Sequence, residues 1–516
     1  MKEIYRLLVI MNLCLLAVTS NAEVGDTFDA LTEEGVRVTY MITGENEVQV
    51  GTFVQQPEYD NELTFYDWLA IHPKTRGFVT IPEYVEGYHV TAIGGYAFCY
   101  CEGLLKVFLP ESIKRIGCWA FLNDSQMVTM KIPSNVEAIE DGAFYNCTSL
   151  KVIDLPESIK TIGNAAFKDC INLSSIVLPR GLEGMGDSSF FNTAIASIVV
   201  PDGISKIESS TFGNCKQLTN VSLPDNLQEI CWGAFYGCTS LETINIPNNV
   251  KDLGASLFSD CHNLKNVNIP DGIRRIGDNM FSKCYSLHSI SLPKSVEHIG
   301  YNAFCASGLE EITLPPLIRK IQSGTFMECE KLISIQIPNQ VDSIETAAFA
   351  NCSKLSYVHM PNHLKYIGGS AFEWCPSLAV LELPYSLIKI DEYAFQQLGS
   401  LKSIFSQIRT PFPISETVFA CFPLDYESDD CDYCYEKTIL YVPYGCADIY
   451  RATPVWNKFK NIREMDPTGV DQQTISEGSV VEKTRYTVDG FKAGSHTRGL
   501  NIVVMSDGSR RKVMVK

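Results

Sequence analysis

Basic residues are in short supply in this chain. Its 516 residues hold 42 Lys and Arg against 60 Asp and Glu, a formal net charge of −18. That deficit removes the electrostatic footprint on which nucleic-acid binding rests, and it gives an anionic membrane surface nothing to attract. Long apolar runs are also missing: past Ala22, no stretch is long and apolar enough to cross a bilayer. Catalytic signatures are missing as well. There is no H-E-x-x-H, no G-x-S-x-G and no phosphate-cradling glycine loop. The eight His fall in variable positions or near the ends of the chain. A binding protein is therefore expected rather than an enzyme, with no cofactor and no metal.

Folding information is present in quantity. Hydrophobic residues make up 45% and charged residues 20%, a composition that folds. The length is too great for one compact core and suits an extended array. Residues 1–22 read as a secretory signal peptide. Lys2 and Arg6 precede an apolar run from Leu7 to Val18, and Ser20-Asn21-Ala22 supplies small residues for cleavage. Cys14 lacks the small preceding residues of a lipid-attachment site, since Met11-Asn12-Leu13 stand there. The mature chain is expected to begin near Glu23 and to be exported, to the extracellular space or the outer cell surface.

A repeat dominates the middle of the chain. Ala-Phe or a close variant recurs with Phe at 98, 121, 144, 167, 190, 212, 235, 258, 281, 304, 326, 349, 372 and 395, every gap being 23 residues except two of 22. One copy, from Leu150, reads LKVIDLPESIKTIGNAAFKDC. Its I-x-L alternation is a short strand with one face inward. The Pro that follows cannot donate to a ladder and stops the strand. I-x-x-I-G turns the chain, with Gly expected for its tolerance of positive φ. The A-F segment is expected to form a short helical turn that drops Phe into the core. One copy cannot bury its own apolar face, so copies must stack. Fourteen rungs at strand spacing give an array of roughly 65 Å. The expected fold class is an α/β repeat solenoid of short strands and short helical turns, capped by β elements. The two 22-residue gaps lose a residue in the loop, and Thr193 and Ser307 stand there where other copies have Cys.

The spacing resembles the BspA-type, or Treponema-type, leucine-rich repeat of bacterial surface proteins, over residues 81–404. The segment ILYVPYGCADIYRATPVWNKFKNI, residues 439–462, is similar to that family's closing segment at Val442-Pro443, Tyr450, Trp456 and Phe459. Residues 405–437 depart from the repeat, and 405–465 are read as an irregular insertion and C-terminal cap. Residues 23–80 are read as an N-terminal β cap, because Val36–Tyr40 and Glu47–Val50 alternate around Gly44-Glu45-Asn46 as a hairpin does. Residues 466–516 are read as a linker and a small β module. Its end, RGLNIVVMSDGSRRKVMVK, resembles the C-terminal sorting modules of Bacteroidetes exported proteins, a resemblance that implies secretion or surface attachment.

Of 19 Cys, ten share one repeat column: Cys101, Cys147, Cys170, Cys215, Cys238, Cys261, Cys284, Cys329, Cys352 and Cys375. In leucine-rich repeats this column takes Asn or Cys, whose side chain serves buried backbone groups. A disulfide or metal ladder is the other possibility. A parallel stack points its side chains the same way, which suits bridging poorly, so buried free thiols are expected. Near the closing segment, Cys421, Cys431, Cys434 and Cys446 could hold zinc, but in an exported chain a disulfide staple is the expected arrangement. The acidic run Asp425, Glu427, Asp429, Asp430 and Asp432 lacks EF-hand spacing and reads as a solvated loop.

Binding is expected on the strand face, where the two variable positions of x-I-x-L point outward. From the sixth rung these form a neutral stripe: Asn220/Ser222, Thr243/Asn245, Asn266/Asn268, Ser289/Ser291 and, further on, Ser334/Gln336. Such a stripe suits hydrogen bonding to an extracellular protein or glycan. Ser, Thr and Asn also fit exposed strands simply because they do not aggregate. Tyr357/His359 is the best local candidate for a contact, because aromatic residues carry binding energy. The family resemblance implies adhesion to host matrix protein, glycan or other cells. The alternative is an envelope scaffold or sensing protein without a direct adhesive role.

Overall fold

The computed structural model describes residues 23–52, 68–421 and 433–465, and three strands at 482–487, 499–505 and 510–515. The expected signal segment, the acidic run 425–432 with Cys431, and residues 466–481 lie outside the described residues.

Most rungs contribute two short strands. In the copy from Leu150 these are Val152–Asp154 and Thr161–Ile162. Both pair in parallel with the preceding rung, Val152 opposite Thr129 and Thr161 opposite Ala138, so one repeat is one step of register. The alternation reads directly as burial, with Ile153 inside and its two neighbours outside. The Phe side chains are buried and stack into a continuous ladder. Successive ring centroids lie 5.0–6.0 Å apart with planes within 16° of parallel. Columns of Leu and Ile complete the core. The two short repeats leave the ladder undisturbed: Phe190–Phe212 and Phe304–Phe326 are spaced at 5.7 and 5.6 Å.

Three expectations need correction. First, the A-F segments are not helical. Residues two before and two after the Phe lie in the left-handed region, as at Ser256 (φ 55°) and Asp260 (φ 60°) around Phe258. The reason lies in the hydrogen bonds. Phe144 N–H donates to Ala166 O, and Asn146 N–H to Lys168 O, both at 2.8 Å in the next rung, so these donors are withdrawn from any helical ladder. Among the described residues, α-helix is confined to Tyr433–Lys437 and Ala447–Ala452 of the closing segment. The architecture is a solenoid of parallel strands and turns. Second, the glycine of I-x-x-I-G is not needed for positive φ. A Cβ on Gly163 would lie 2.6 Å from Asp141 N and 2.7 Å from Glu140 C, so Gly is required by the close approach of consecutive rungs. Third, the array exceeds fourteen rungs. Phe419 stacks on Phe395 at 5.4 Å as a fifteenth ring, and the strands Ser403–Ser406, Ile439–Val442 and Asn461–Glu464 continue the strand face. Residues 405–421 therefore carry one more turn of the stack.

The Cys column has a uniform job. The thiol of each of nine members donates to the carbonyl of a Phe in the preceding rung. Cys147 to Phe121 at 3.0 Å and Cys261 to Phe235 at 3.1 Å are examples. Burial pushes the Cys261 thiol up to about 12, which keeps the donating proton in place. Thr193 and Ser307 fill the column in the short repeats, and their hydroxyls meet Cys215 Sγ at 3.2 Å and Cys329 Sγ at 3.4 Å.

Both ends of the core are covered. At the N-terminal end, Thr27–Leu31, Arg37–Gly44 and Glu47–Val50 form an antiparallel meander, and the last strand pairs in parallel with Tyr88–Ile93. At the other end, Tyr435, Trp456 and Phe459 meet Phe419 nearly edge-on, with interplanar angles of 80°, 63° and 79°. Perpendicular rings terminate a stack that parallel rings would prolong. Trp456 Nε1 donates to Phe412 O and the Tyr450 hydroxyl to Ile408 O, both at 2.8 Å. The strands Glu482–Thr487, Gly499–Met505 and Arg510–Val515 form a three-stranded antiparallel sheet.

Candidate functional site

The strand face carries an open groove of about 580 Å³. Its walls are Asn220, Thr243, Asn245, Asn266, Asn268, Ser289 and Ser291, and its floor includes Val221, Ile244, Val267 and Ile290. Seven of the side chains singled out in the sequence thus converge on one feature. The parallel register brings them together, since Thr243 lies opposite Asn266 and one wall residue follows another at each rung.

Asn268 differs from its neighbours. Its Oδ1 accepts from Ile246 N–H and its Nδ2 donates to Ile246 O, both at 2.8 Å. Strand pairing there covers only Thr243–Ile244 and Asn266–Val267, and the carboxamide takes over the ladder where main-chain pairing ends. Asn268 is thus engaged in holding the groove's shape. Asn220, Thr243 and Asn245 are exposed on the same wall.

The remaining candidates lie on the same face outside the groove. Ser222 stands opposite Val199 on the neighbouring strand. Gln336 pairs with His359, and Ser334 with Tyr357, beyond the Glu311/Thr313 rung. Tyr357 and His359 are half-buried, with the Tyr hydroxyl 3.4 Å from His359 Nδ1. This rung and the groove are two separate places.

Sequence reasoning overlooked the apolar neighbour of the groove. Val152, Val177 and Val199 occupy outward positions on three consecutive rungs and are 46%, 78% and 68% exposed. The signal was visible as β-branched apolar residues where other rungs place Ser, Thr or Asn. The face therefore sets exposed valines on the rungs next to a hydrogen-bonding groove, and exposed apolar surface of this kind marks interaction sites. Among the described residues no group of three or more His, Cys, Asp or Glu is placed to hold a metal ion, and no helix is long and apolar enough to cross a membrane.

A stack of parallel strands at a 22–23-residue period, with a buried Phe ladder and a side-chain column bonded to main-chain carbonyls, defines a leucine-rich-repeat solenoid. The chain belongs to the BspA-type leucine-rich repeat family: the model of the BspA type leucine rich repeat region matches residues 91–219, 205–333 and 319–425. Among solved structures, a leucine-rich repeat protein from Bacteroides ovatus is 26% identical, with the match covering 83% of this chain and 98% of that one at a TM-score of 0.58. A leucine rich cell surface protein from Faecalibacterium prausnitzii is 24% identical over 68% of this chain and 93% of its own, at a TM-score of 0.46. The pneumococcal vaccine antigen PcpA is 17% identical over 86% and 100%, at a TM-score of 0.38. No curated protein matches the chain.

Proposed function

We propose that this chain is an extracellular binding protein that engages a protein or glycan through its strand face, with the groove from Asn220 to Ser291 as the contact site. The observation that carries this reading is the convergence of exposed amide and hydroxyl side chains on one groove beside an exposed valine patch. Amides and hydroxyls recognise by directed hydrogen bonds, and the valines supply area that an isolated polar groove lacks. The membership in a family of bacterial surface leucine-rich repeat proteins supports it. Adhesion is the use of the face that family membership favours, and export by the N-terminal segment would place it there.

The test is a cross-linking pull-down and glycan array with protein starting at Glu23. An Asn220→Ala/Asn245→Ala variant is expected to lose at least tenfold in affinity for the captured ligand, about 1.4 kcal/mol. Tyr357→Ala/His359→Ala on the same ligand separates the groove from the aromatic rung. Asn268→Ala is expected to destabilise the local rungs by about 1–2 kcal/mol, because it strands Ile246 N–H. No ligand from either screen, or full binding by the Asn220/Asn245 variant, would remove the groove from the reading.

A further inference from the structure

The cysteines of the described residues divide by what their sulfurs touch. Column thiols face carbonyls of the preceding rung. Cys446 Sγ faces Tyr444 O at 3.9 Å. Successive column thiols also meet, as Cys147 with Cys170 and Cys352 with Cys375, but Cys421 Sγ and Cys434 Sγ approach to 2.8 Å, both in buried residues. That is closer than two sulfurs rest without bonding. The two residues also join parts that need joining. Cys421 follows the last ladder ring, Phe419, and Cys434 begins the closing segment on the helix Tyr433–Lys437. Its neighbour Tyr435 packs edge-on against both Phe419 and Phe459.

We propose that Cys421 and Cys434 form a disulfide that staples the closing segment to the end of the Phe ladder, and that the column thiols stay reduced. The pairing is Cys421 with Cys434 rather than within the C-x-x-C motif. The oxidant is a disulfide donor, such as a thiol oxidoreductase of the export compartment or glutathione disulfide. Exchange first joins Cys421 Sγ to one donor sulfur and releases the other as a thiol. Cys434, freed of its hydrogen bond to the Cys421 thiolate, then attacks Cys421 Sγ. The Cys421–Cys434 bond forms, the bond to the donor breaks, and the leaving donor thiolate takes up the proton that Cys434 gave up. Two protein thiols are oxidised and one donor disulfide is reduced to two thiols. The first attack falls to Cys421, whose thiol is held below its ordinary value by the hydrogen bond from Cys434 and by main-chain contacts at Leu398 and Gln397. Cys434 is pushed up by the same hydrogen bond and by burial. Because both sulfurs are enclosed once the cap is seated, exchange occurs as the cap closes. The column thiols escape it, being buried within the stack and turned to its main-chain carbonyls.

The inference rests on the extracellular reading for its oxidising compartment, but its readout is separate. Purified, reduced full-length protein is refolded in a glutathione redox buffer, free thiols are blocked under denaturing conditions, and peptides are mapped with and without reductant. The expected result is one linked peptide pair, Cys421 with Cys434, and column cysteines that are all blocked. Protein recovered from its native host gives the same pair if the chain is exported, and blocked thiols at both positions if it is not. Cys421→Ser should leave Cys434 blocked and make the closing segment more sensitive to protease. Recovery of both cysteines blocked from the refolded protein overturns the proposal. So does a Cys431–Cys434 or Cys434–Cys446 link, or release of both thiols only on addition of a zinc chelator. The wild-type map decides the matter even if the Ser variant does not fold.

Discussion

Asp124 offers the sharpest test of how the column works. It stands where the rungs on either side have Cys101 and Cys147, and its side chain is completely buried. Oδ1 accepts the Cys101 N–H at 2.9 Å, while Oδ2 has no hydrogen-bond partner. Burial pushes this carboxyl well above the ordinary carboxylate range, and the Cys101 N–H opposes the shift only in part. The folded chain therefore favours the protonated acid. A carboxyl whose folded pKa lies above its unfolded value of about 3.9 contributes its full stability below that unfolded value, and loses it as pH rises through the folded pKa. Asp124→Asn keeps an acceptor for Cys101 and cannot ionise. In the register of the column, its N–H₂ takes the place of the neighbouring thiols, one of which reaches Phe121 O from Cys147. The variant should match the wild type within about 0.5 kcal/mol near pH 4 and exceed it near pH 8, by about 1.4 kcal/mol for each tenfold by which burial weakens the acid within that range. Solenoids open locally, so the measurement is amide hydrogen exchange over the rungs from Phe98 to Leu150, with urea unfolding as a check. A difference that does not change with pH, or a wild type that gains on Asn at the alkaline end, would refute the protonated-acid account.

Two further substitutions probe the same core. Phe258 is fully buried between rings at 6.0 and 5.8 Å, so Phe258→Ala should cost about 3–5 kcal/mol and split the thermal transition at that rung. A loss below about 1 kcal/mol would show that the ladder is not the main support. Cys352 donates to Phe326 O at 3.1 Å, and Ser can make the same bond. Cys352→Ser should therefore retain about 1 kcal/mol that Cys352→Val loses, read as a shift in urea midpoint at constant slope. Equal midpoints for Ser and Val would mean the thiol acts as bulk alone.

The stacking period, the inward columns and the outward stripe were legible in the sequence because each rung repeats the same burial requirement, and repetition turns a weak local signal into a strong one. What was not legible depends on contacts between rungs. The A-F segment reads as a helical turn locally, but Phe144 and Asn146 give their N–H groups to the next rung, and no single copy shows that. The glycine of I-x-x-I-G has two physical uses with the same letter, and the 2.6 Å approach at Gly163 distinguishes them. Phe419 was hidden because it follows Phe395 by 24 residues and is preceded by Val instead of Ala. The site divides in the same way. Alternation places Asn220, Asn245 and Asn268 on one face, and Asn245 and Asn268 share one repeat position, so in sequence these two are equivalent. Only the early end of strand pairing after Val267 makes Asn268 a brace for Ile246. A stripe of outward amides is thus an upper limit on a binding surface. Some amides are already used by the scaffold, and the residues we propose for this solenoid's own ligand are those, such as Asn220 and Asn245, whose loss the scaffold would not register.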